Sequence, residues 1–433
     1  MTASLSMYDV VEHHLPNGFA ILTHATHAVP LVSFFVWYRV GARNEPAGLS
    51  GASHWVEHML FKRTAKLKPG DIGRLITGVG GAWNGFTSED ATAYFETVPS
   101  QHLGLPLEIE ADRMLHAVFD PADVASERTV IISEREGSEA SPMFRLTEAV
   151  EASAFQVHPY GHGVIGSKAD LQRMTRDELY AYYRRHYGPN NAVAVAIGDF
   201  DTNDLLSRIG DAFGAYAPIP SPEPVRAAEP TQREERRVEV RHPGPFAILA
   251  VCHHVPPMAH PDFFPLFALD ALLSGPKAGG FGGGGTTRTS RLYQRFVASG
   301  LAAGASSDLG QNIDATLLRI SIILKPGSER APIEAAVDAE LQRLLDDPPQ
   351  EQELATAVRQ ARAKQAIALE SVTSKAVWTG FLATTVTHRL APDFTRRLEA
   401  VTSTDVHRVA QTYLRRANRV TGWFIPTASN GAP

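Results

Sequence analysis

The amino-acid sequence predicts an α+β chain of two domains joined by a linker, on three observations. At 433 residues it is longer than a single hydrophobic core usually grows, so two or three domains are expected. A stretch rich in proline and then in charge, with almost no large apolar residue, occupies 216–237, and such composition makes a semi-rigid exposed connector. The flanking segments, 1–215 and 238–433, echo one another. Each opens with a strand-like run, Phe19-Ala-Ile-Leu-Thr and Phe246-Ala-Ile-Leu-Ala-Val. Each closes with a helical pattern and then a strand, Arg176 to Tyr187 before Ala192 to Ile197, and Thr404 to Leu414 before Arg419 to Ile425. The echo suggests an internal duplication.

The first segment with evident chemistry is His54-Trp55-Val56-Glu57-His58. Residues three and four apart on a helix are neighbours, so His54 and His58 can grip one metal while Glu57 leans to the same side. Neutral imidazoles are good zinc ligands, and a catalytic zinc usually takes three protein ligands and leaves a position for water. Two histidines therefore need a third partner, and Glu57 is free to handle the water. The H-x-x-E-H order is the inverzincin signature. The plainer reading is a helix whose two histidines bind nothing.

Further along, Gly80 to Glu96 reads as a strand, a turn and a second strand, since Thr92, Tyr94 and Glu96 alternate with Ala91, Ala93 and Phe95. An extended edge beside a metal can pair with a peptide, main chain to main chain. Asn84 lies on it, and from the residues alone it reads as readily as a turn residue.

Asp120-Pro121 opens a helical pattern to Glu139, with Asp120 as N-cap and Pro121 at the first position. Glu127 and Glu134 are two turns apart and share a face with Val130 and Ile131, which implies burial. A carboxylate there needs a metal, a charge or hydrogen bonds. Glu134 as third ligand with Glu127 behind it satisfies this, although from the helix alone a solvated charged face is the better account. His158 and His162 sit among glycines without a spacing that aims them at one metal, and Asn190-Asn191 reads as a turn feeding a buried strand.

Composition excludes several classes. Apolar content of 44% and charged content of 20% fit a globular protein. A net charge of -6 argues against nucleic acid, which needs a basic face. The single cysteine, Cys252, allows no internal disulfide and no zinc ribbon. In Cys252-His253-His254 adjacent side chains on a strand point to opposite faces, so the run reads as a small buried thiol beside histidines. No run approaches a membrane span, and the opening residues carry no signal-peptide pattern; the expected location is the cytoplasm, with the periplasm left open.

These segments together resemble the M16 metallopeptidases, the pitrilysin, insulinase and mitochondrial processing peptidase group. In that family the inverted motif is followed, seventy-odd residues on, by a glutamate in a segment E-R-x-x-V-x-x-E, here Glu127 to Glu134. Gly80 to Tyr94 is similar to the family's G-x-x-N-A-x-T-x-x-D-x-T-x-Y, with Asn84, Thr87, Asp90, Thr92 and Tyr94 in register. The resemblance implies a zinc metalloendopeptidase acting on peptides, with His54, His58 and Glu134 as zinc ligands and Glu57 as general base. It implies that Glu127 orients a ligand histidine, and that Asn84 contacts substrate or the developing oxyanion. For the fold it implies two homologous α/β roll domains in a clamshell, the first holding zinc and the second none. The alternative within the family is a structural or assembly subunit with little peptidase activity, and intact zinc-site positions argue against it.

The second half departs from the family in one place. Members that act as one polypeptide or homodimer carry an arginine and a tyrosine in a segment resembling S-R-L-x-x-x-L-R-x-x-x-G-L-A-Y. Here it is Ser290 to Ala303, and alignment on Gly300-Leu301-Ala302 puts Phe296 at the arginine and Ala303 at the tyrosine. Arg295 would replace the arginine only with a one-residue slip, a rotation of about 100° on a helix. The expectation is therefore a zinc-bearing M16B-type subunit of a hetero-oligomer whose homologous partner supplies the pair. The glycine-rich run 275–285 is expected to be mobile, and without a G-K-[ST] ending it is no phosphate loop.

Overall fold

A computed structural model of the chain describes residues 9–280 and 286–427, and within them helices flank two mixed sheets. β1 (Val11–His14), β2 (Ala20–Ala25), β3 (Leu31–Tyr38), β4 (Ala82–Thr87), β5 (Thr92–Pro99) and β6 (Ala192–Gly198) form the first, in the order β1-β2-β6-β3-β5-β4. β2 and β6 run parallel and the other neighbours antiparallel. β3 reads Leu-Val-Ser-Phe-Phe-Val-Trp-Tyr because both of its faces are covered. Phe34, Val36 and Tyr38 face one side and Phe35 and Trp37 the other, all fully buried. The first side packs on Trp55, Val56 and Met59 of the motif helix Ala52–Met59 and on helices Gly104–His116, Arg176–His186 and Thr202–Phe213. Helix Val372–Thr385, far downstream, covers the second side against β3 and β6.

β7 (Arg236–Pro243), β8 (Ile248–Val255), β9 (Ala302–Leu309), β10 (Thr316–Leu324) and β11 (Arg419–Thr427) form the second sheet, in the order β7-β11-β8-β10-β9. Its one parallel pair, β7 with β11, is followed by the same antiparallel succession as β2-β6-β3-β5-β4. The duplication is thus a repeat of topology. The equivalence sets β7 opposite β2 and β8 opposite β3, so the apolar run at Phe246 is the counterpart of β3 and not of Phe19–Thr23. β7, an edge strand reading Arg-Arg-Val-Glu-Val-Arg-His-Pro, presents itself in the sequence as a charged segment. β8 is covered on both faces, which leaves Cys252 and His253 both fully buried.

Contacts divide the chain into two compact units that cut across the division at 216–237: Met1–Glu136, His162–Arg226 and Leu369–Pro392, and Gly137–Gly161, Ala227–Ala368 and Asp393–Pro433. The reason is the covering of sheets. Helix Val372–Thr385 belongs with the first, while helix Pro142–Ala154, with Leu146, Val150 and Ala154 buried, packs on β7, β8 and β11. The connecting stretch is fastened at both ends. Asn190 exchanges hydrogen bonds with Ile219, donating at 2.9 Å and accepting at 2.8 Å. Glu229 accepts the backbone N–H groups of Gln156, Val157 and His158 at 2.9–3.1 Å. The start of the glycine-rich run is also held. Lys277 is buried and donates to the Ser307 carbonyl, and the Gly279 and Gly280 amides donate to Gln365 and Gln311. Residues 281–285 lie outside the described residues. Among the described residues no helix is long and apolar enough to cross a membrane.

The motif helix starts at Gly51, whose φ of 91° suits a residue without a side chain. A Cβ there would stand 2.7 Å from the Ile165 carbonyl oxygen. Buried Glu45 caps the helix, accepting from the Gly51 and Ser53 amides at 2.8 Å each.

Two predictions follow from this packing. A Cβ at Gly380 would lie inside the Trp37 indole, so Gly380→Ala should destabilise the protein by about 1–3 kcal/mol in urea unfolding, the usual cost of overpacking. Burial pushes the Glu45 carboxyl up to about 8, against the pull of the Ser53 and Gly51 donors and with Asp170 adding to the rise; the His162 ring stands 3.8 Å away. A folded pKa above the unfolded value of about 4.3 means a contribution complete below that pH and lost as pH climbs towards 8. Glu45→Gln should flatten the stability profile of the metal-free protein in that window.

Candidate metal centre

The motif helix buries Trp55, Val56 and Met59 and turns His54 and His58 to the other side, with their rings 4.6 Å apart. The second helix, Pro121–Glu139, starts as its sequence implies, with the Asp120 side chain accepting from the Ala122 amide at 2.9 Å. Its inward face is narrower than the pattern suggests. Glu127 and Ile131 are buried, but Val130 is 40% exposed and the Glu134 side chain 44%. Glu134 reaches the histidines from a rim that solvent can enter.

His54, His58 and Glu134 converge. His54 Nε2 and His58 Nε2 are 3.2 Å apart, and Glu134 Oε2 stands 3.8 Å from the first and 3.6 Å from the second. Among the described residues this is the single group of three or more histidine, cysteine or acidic side chains placed to hold a metal ion. Glu127 lies behind it, with Oε2 3.0 Å from His58 Nδ1, and its other oxygen pairs with Lys62. In the neutral ring, a proton held at Nδ1 leaves the His58 Nε2 lone pair for the group. Glu57 is buried beside them and accepts from the Thr87 hydroxyl at 2.6 Å.

The surroundings divide the charges. Burial, with some help from His58, lowers His54 to about 4 and keeps it neutral. Burial also acts to lower His58, but its bond to Glu127 and the nearby Glu134 and Glu57 carboxylates raise it overall. Glu57 is raised by burial, with Thr87 and His58 opposing. Glu127 is lowered, because His58 and Lys62 outweigh its burial.

The donor set fits zinc. Bonds of 2.0–2.2 Å in a tetrahedron place donor atoms roughly 3.3–3.6 Å apart, and the three donors here stand at 3.2–3.8 Å. When both rings are neutral and turn their Nε2 lone pairs inward, a cation among them relieves the repulsion with the carboxylate oxygen.

Other residues singled out in the sequence fall elsewhere. Asn84 is exposed on β4, the edge strand that packs beside the motif helix, and its side-chain oxygen accepts from the Gly85 amide at 2.9 Å. Strand alternation puts it on the same face as Phe86, opposite Thr87. His158 is buried and pairs with Asp314 at 3.0 Å, and His162 faces Glu45; neither joins the cluster. Sequence reasoning missed Lys62 and the bond from Thr87. Lys62 lies four residues after His58, a spacing that hints at it. Thr87 carried no signal beyond its place in the segment.

Comparison with known proteins places these features in a family. Residues 20–168 match the model for insulinase (peptidase family M16), and residues 173–361 match the model for the peptidase M16 inactive domain. An uncharacterized zinc protease of Streptomyces coelicolor is 33% identical over 230 residues, 52% of this chain and 50% of that protein. A probable mitochondrial-processing peptidase subunit beta of Arabidopsis thaliana is 26% identical over 296 residues, 67% of this chain and 55% of that protein. The chain thus spans about half the length of these relatives. The crystal structure of a protease from Helicobacter pylori shares the fold, with a TM-score of 0.90 at 24% identity over 96% of this chain and 99% of that one. With both halves of the sequence matched in order, the chain belongs to the M16 peptidase family.

Proposed function

We propose that this chain is a zinc metalloendopeptidase that hydrolyses peptides, and that it is the catalytic subunit of a hetero-oligomer. The observation that carries the first part is the convergence of His54, His58 and Glu134 beside a buried Glu57. His54 and His58 offer Nε2 and Glu134 a carboxylate oxygen. When bound, zinc supplies Lewis acidity to a water and to the scissile carbonyl. Glu127 holds the proton on His58 Nδ1 and so keeps Nε2 available. Glu57 takes a proton from the attacking water and returns it to the leaving amine, a role suited to a carboxyl raised by burial. β4 is an edge strand, and its unpaired main-chain groups can align an extended peptide by strand addition. Asn84, exposed on that strand on the face opposite Thr87, is the side chain assigned to the extended substrate and not to the oxyanion.

The hetero-oligomer rests on the second half. Phe296 is fully buried in the π-helical segment Tyr293–Ala298, and Ala303 has only a methyl group on β9. Neither position offers the polar group that the family's arginine and tyrosine supply. A homologous subunit carrying that pair is the partner this reading requires. The name of the Arabidopsis relative, a subunit beta, accords with it.

Glu57→Gln should lower turnover of a quenched fluorescent peptide by at least about 10²-fold while zinc content by atomic absorption stays near one per chain. Glu127→Gln should weaken zinc binding about 10–100-fold in competition with a chelator. Full activity should require co-expression with the homologous subunit. Equal activity of the purified chain alone would remove the hetero-oligomer.

A further inference from the structure

We infer that Thr87 is a positioning residue that selects which oxygen of Glu57 receives the proton, an inference that rests on the peptidase reading above. A carboxylate has two nearly equivalent oxygens, and a base acts from the one whose lone pair is free and correctly aimed. Glu57 Oε2 accepts from Thr87 Oγ1 at 2.6 Å. No hydrogen bond from the described residues reaches Oε1. The donor direction is set as well. Thr92 directs its hydroxyl hydrogen to the Val40 carbonyl at 2.9 Å and stands 3.5 Å from the Thr87 oxygen. An ionised carboxylate only accepts, and at 2.6 Å against 3.5 Å for the Thr92 oxygen the one hydroxyl hydrogen of Thr87 goes to Glu57.

The hydroxyl is held against the motif helix by a short bracket. Thr87 ends β4 opposite Thr92, and the turn between them closes with the Ser88 amide donating to the Ala91 carbonyl at 2.8 Å. The Ala42 and Arg43 amides donate to the Ser88 and Glu89 carbonyls at 3.2 and 2.8 Å. Two residues later Glu45 caps the motif helix. Residues 41–45 thus fasten the hairpin that carries Thr87 to the helix that carries Glu57. A Cβ at Gly41 would collide with the Ser88 and Glu89 carbonyls, which is why the hairpin can sit so close.

Valine has the shape of threonine without the hydroxyl, so Thr87→Val tests orientation with little change in packing. In zinc-loaded protein it should lower kcat for the fluorescent peptide about tenfold to a hundredfold, the cost of a misplaced catalytic group, and leave KM within about twofold. Thr87→Ser should restore most of the loss. Added to Glu57→Gln, Thr87→Val should cause no further loss, as expected of two residues acting as one unit. A second readout needs no metal. Crystal structures of the metal-free variants should show the Glu57 carboxylate turned in Thr87→Val and in place in Thr87→Ser. Unchanged kcat in Thr87→Val, or an unmoved Glu57, would overturn the inference. Full turnover by Glu57→Gln would instead remove the role of Glu57 as base, and the crystallographic comparison would still decide whether Thr87 orients it.

Discussion

The candidate site depends on one hydrogen bond between two helices distant in sequence, from His58 Nδ1 to Glu127 at 3.0 Å. Glu127 is a carboxylate in a nearly closed environment, and such a group is tolerable only when its oxygens are partnered. It gains His58 on one oxygen and Lys62 on the other, and the need to satisfy both sets the register of helix Pro121–Glu139 against the motif helix. Two turns on, roughly 10 Å along the axis, that register brings Glu134 to the histidines. The next residue in each case adds a further tie. Arg128 donates to the Met174 carbonyl and lies over the Trp55 ring, and Arg135 donates to the Gly166 carbonyl.

Charge then separates two functions that share a few ångströms. Lys62 offsets much of the charge of Glu127, leaving Glu134 as the carboxylate that faces the two imidazoles. Glu57, without a cationic partner, is biased towards holding a proton. One helical turn thus presents a place for a cation and, next to it, a place for a proton. The difference comes from what stands behind each side chain and not from the side chains themselves.

The motif, its helix and the start of the acidic helix were all legible, because each depends on local rules: spacing along a helix, an Asp-Pro start, alternation in a strand. The ligand role of Glu134 needed more than periodicity, since its face is half open to solvent and its surroundings read as a charged surface. Topology was legible only at the closing helix-strand pairs. β7 is hidden by charged residues that protect a sheet edge, so the next strand in sequence, β8, reads as the counterpart of β2. The connector reads as exposed and is so for most of its length, while the bonds that hold Ile219 and Glu229 come from residues distant in sequence and leave no local pattern. For the same reason no local pattern assigned helix Val372–Thr385 to the first sheet.

That long-range covering bears on how the protein is made. β6, the last strand of the first sheet to be synthesised, is complete at Gly198, and the helix that shields the outer side of Phe35 and Trp37 is complete only at Thr385. At ordinary elongation rates the interval is roughly 10–40 s. Throughout it a broad aromatic surface has no native cover, although the strands and helices around His54 and His58 can already be paired. A nascent chain in that state is a natural client for holdase chaperones, and slowing translation past Gly198 lengthens its exposure to aggregation.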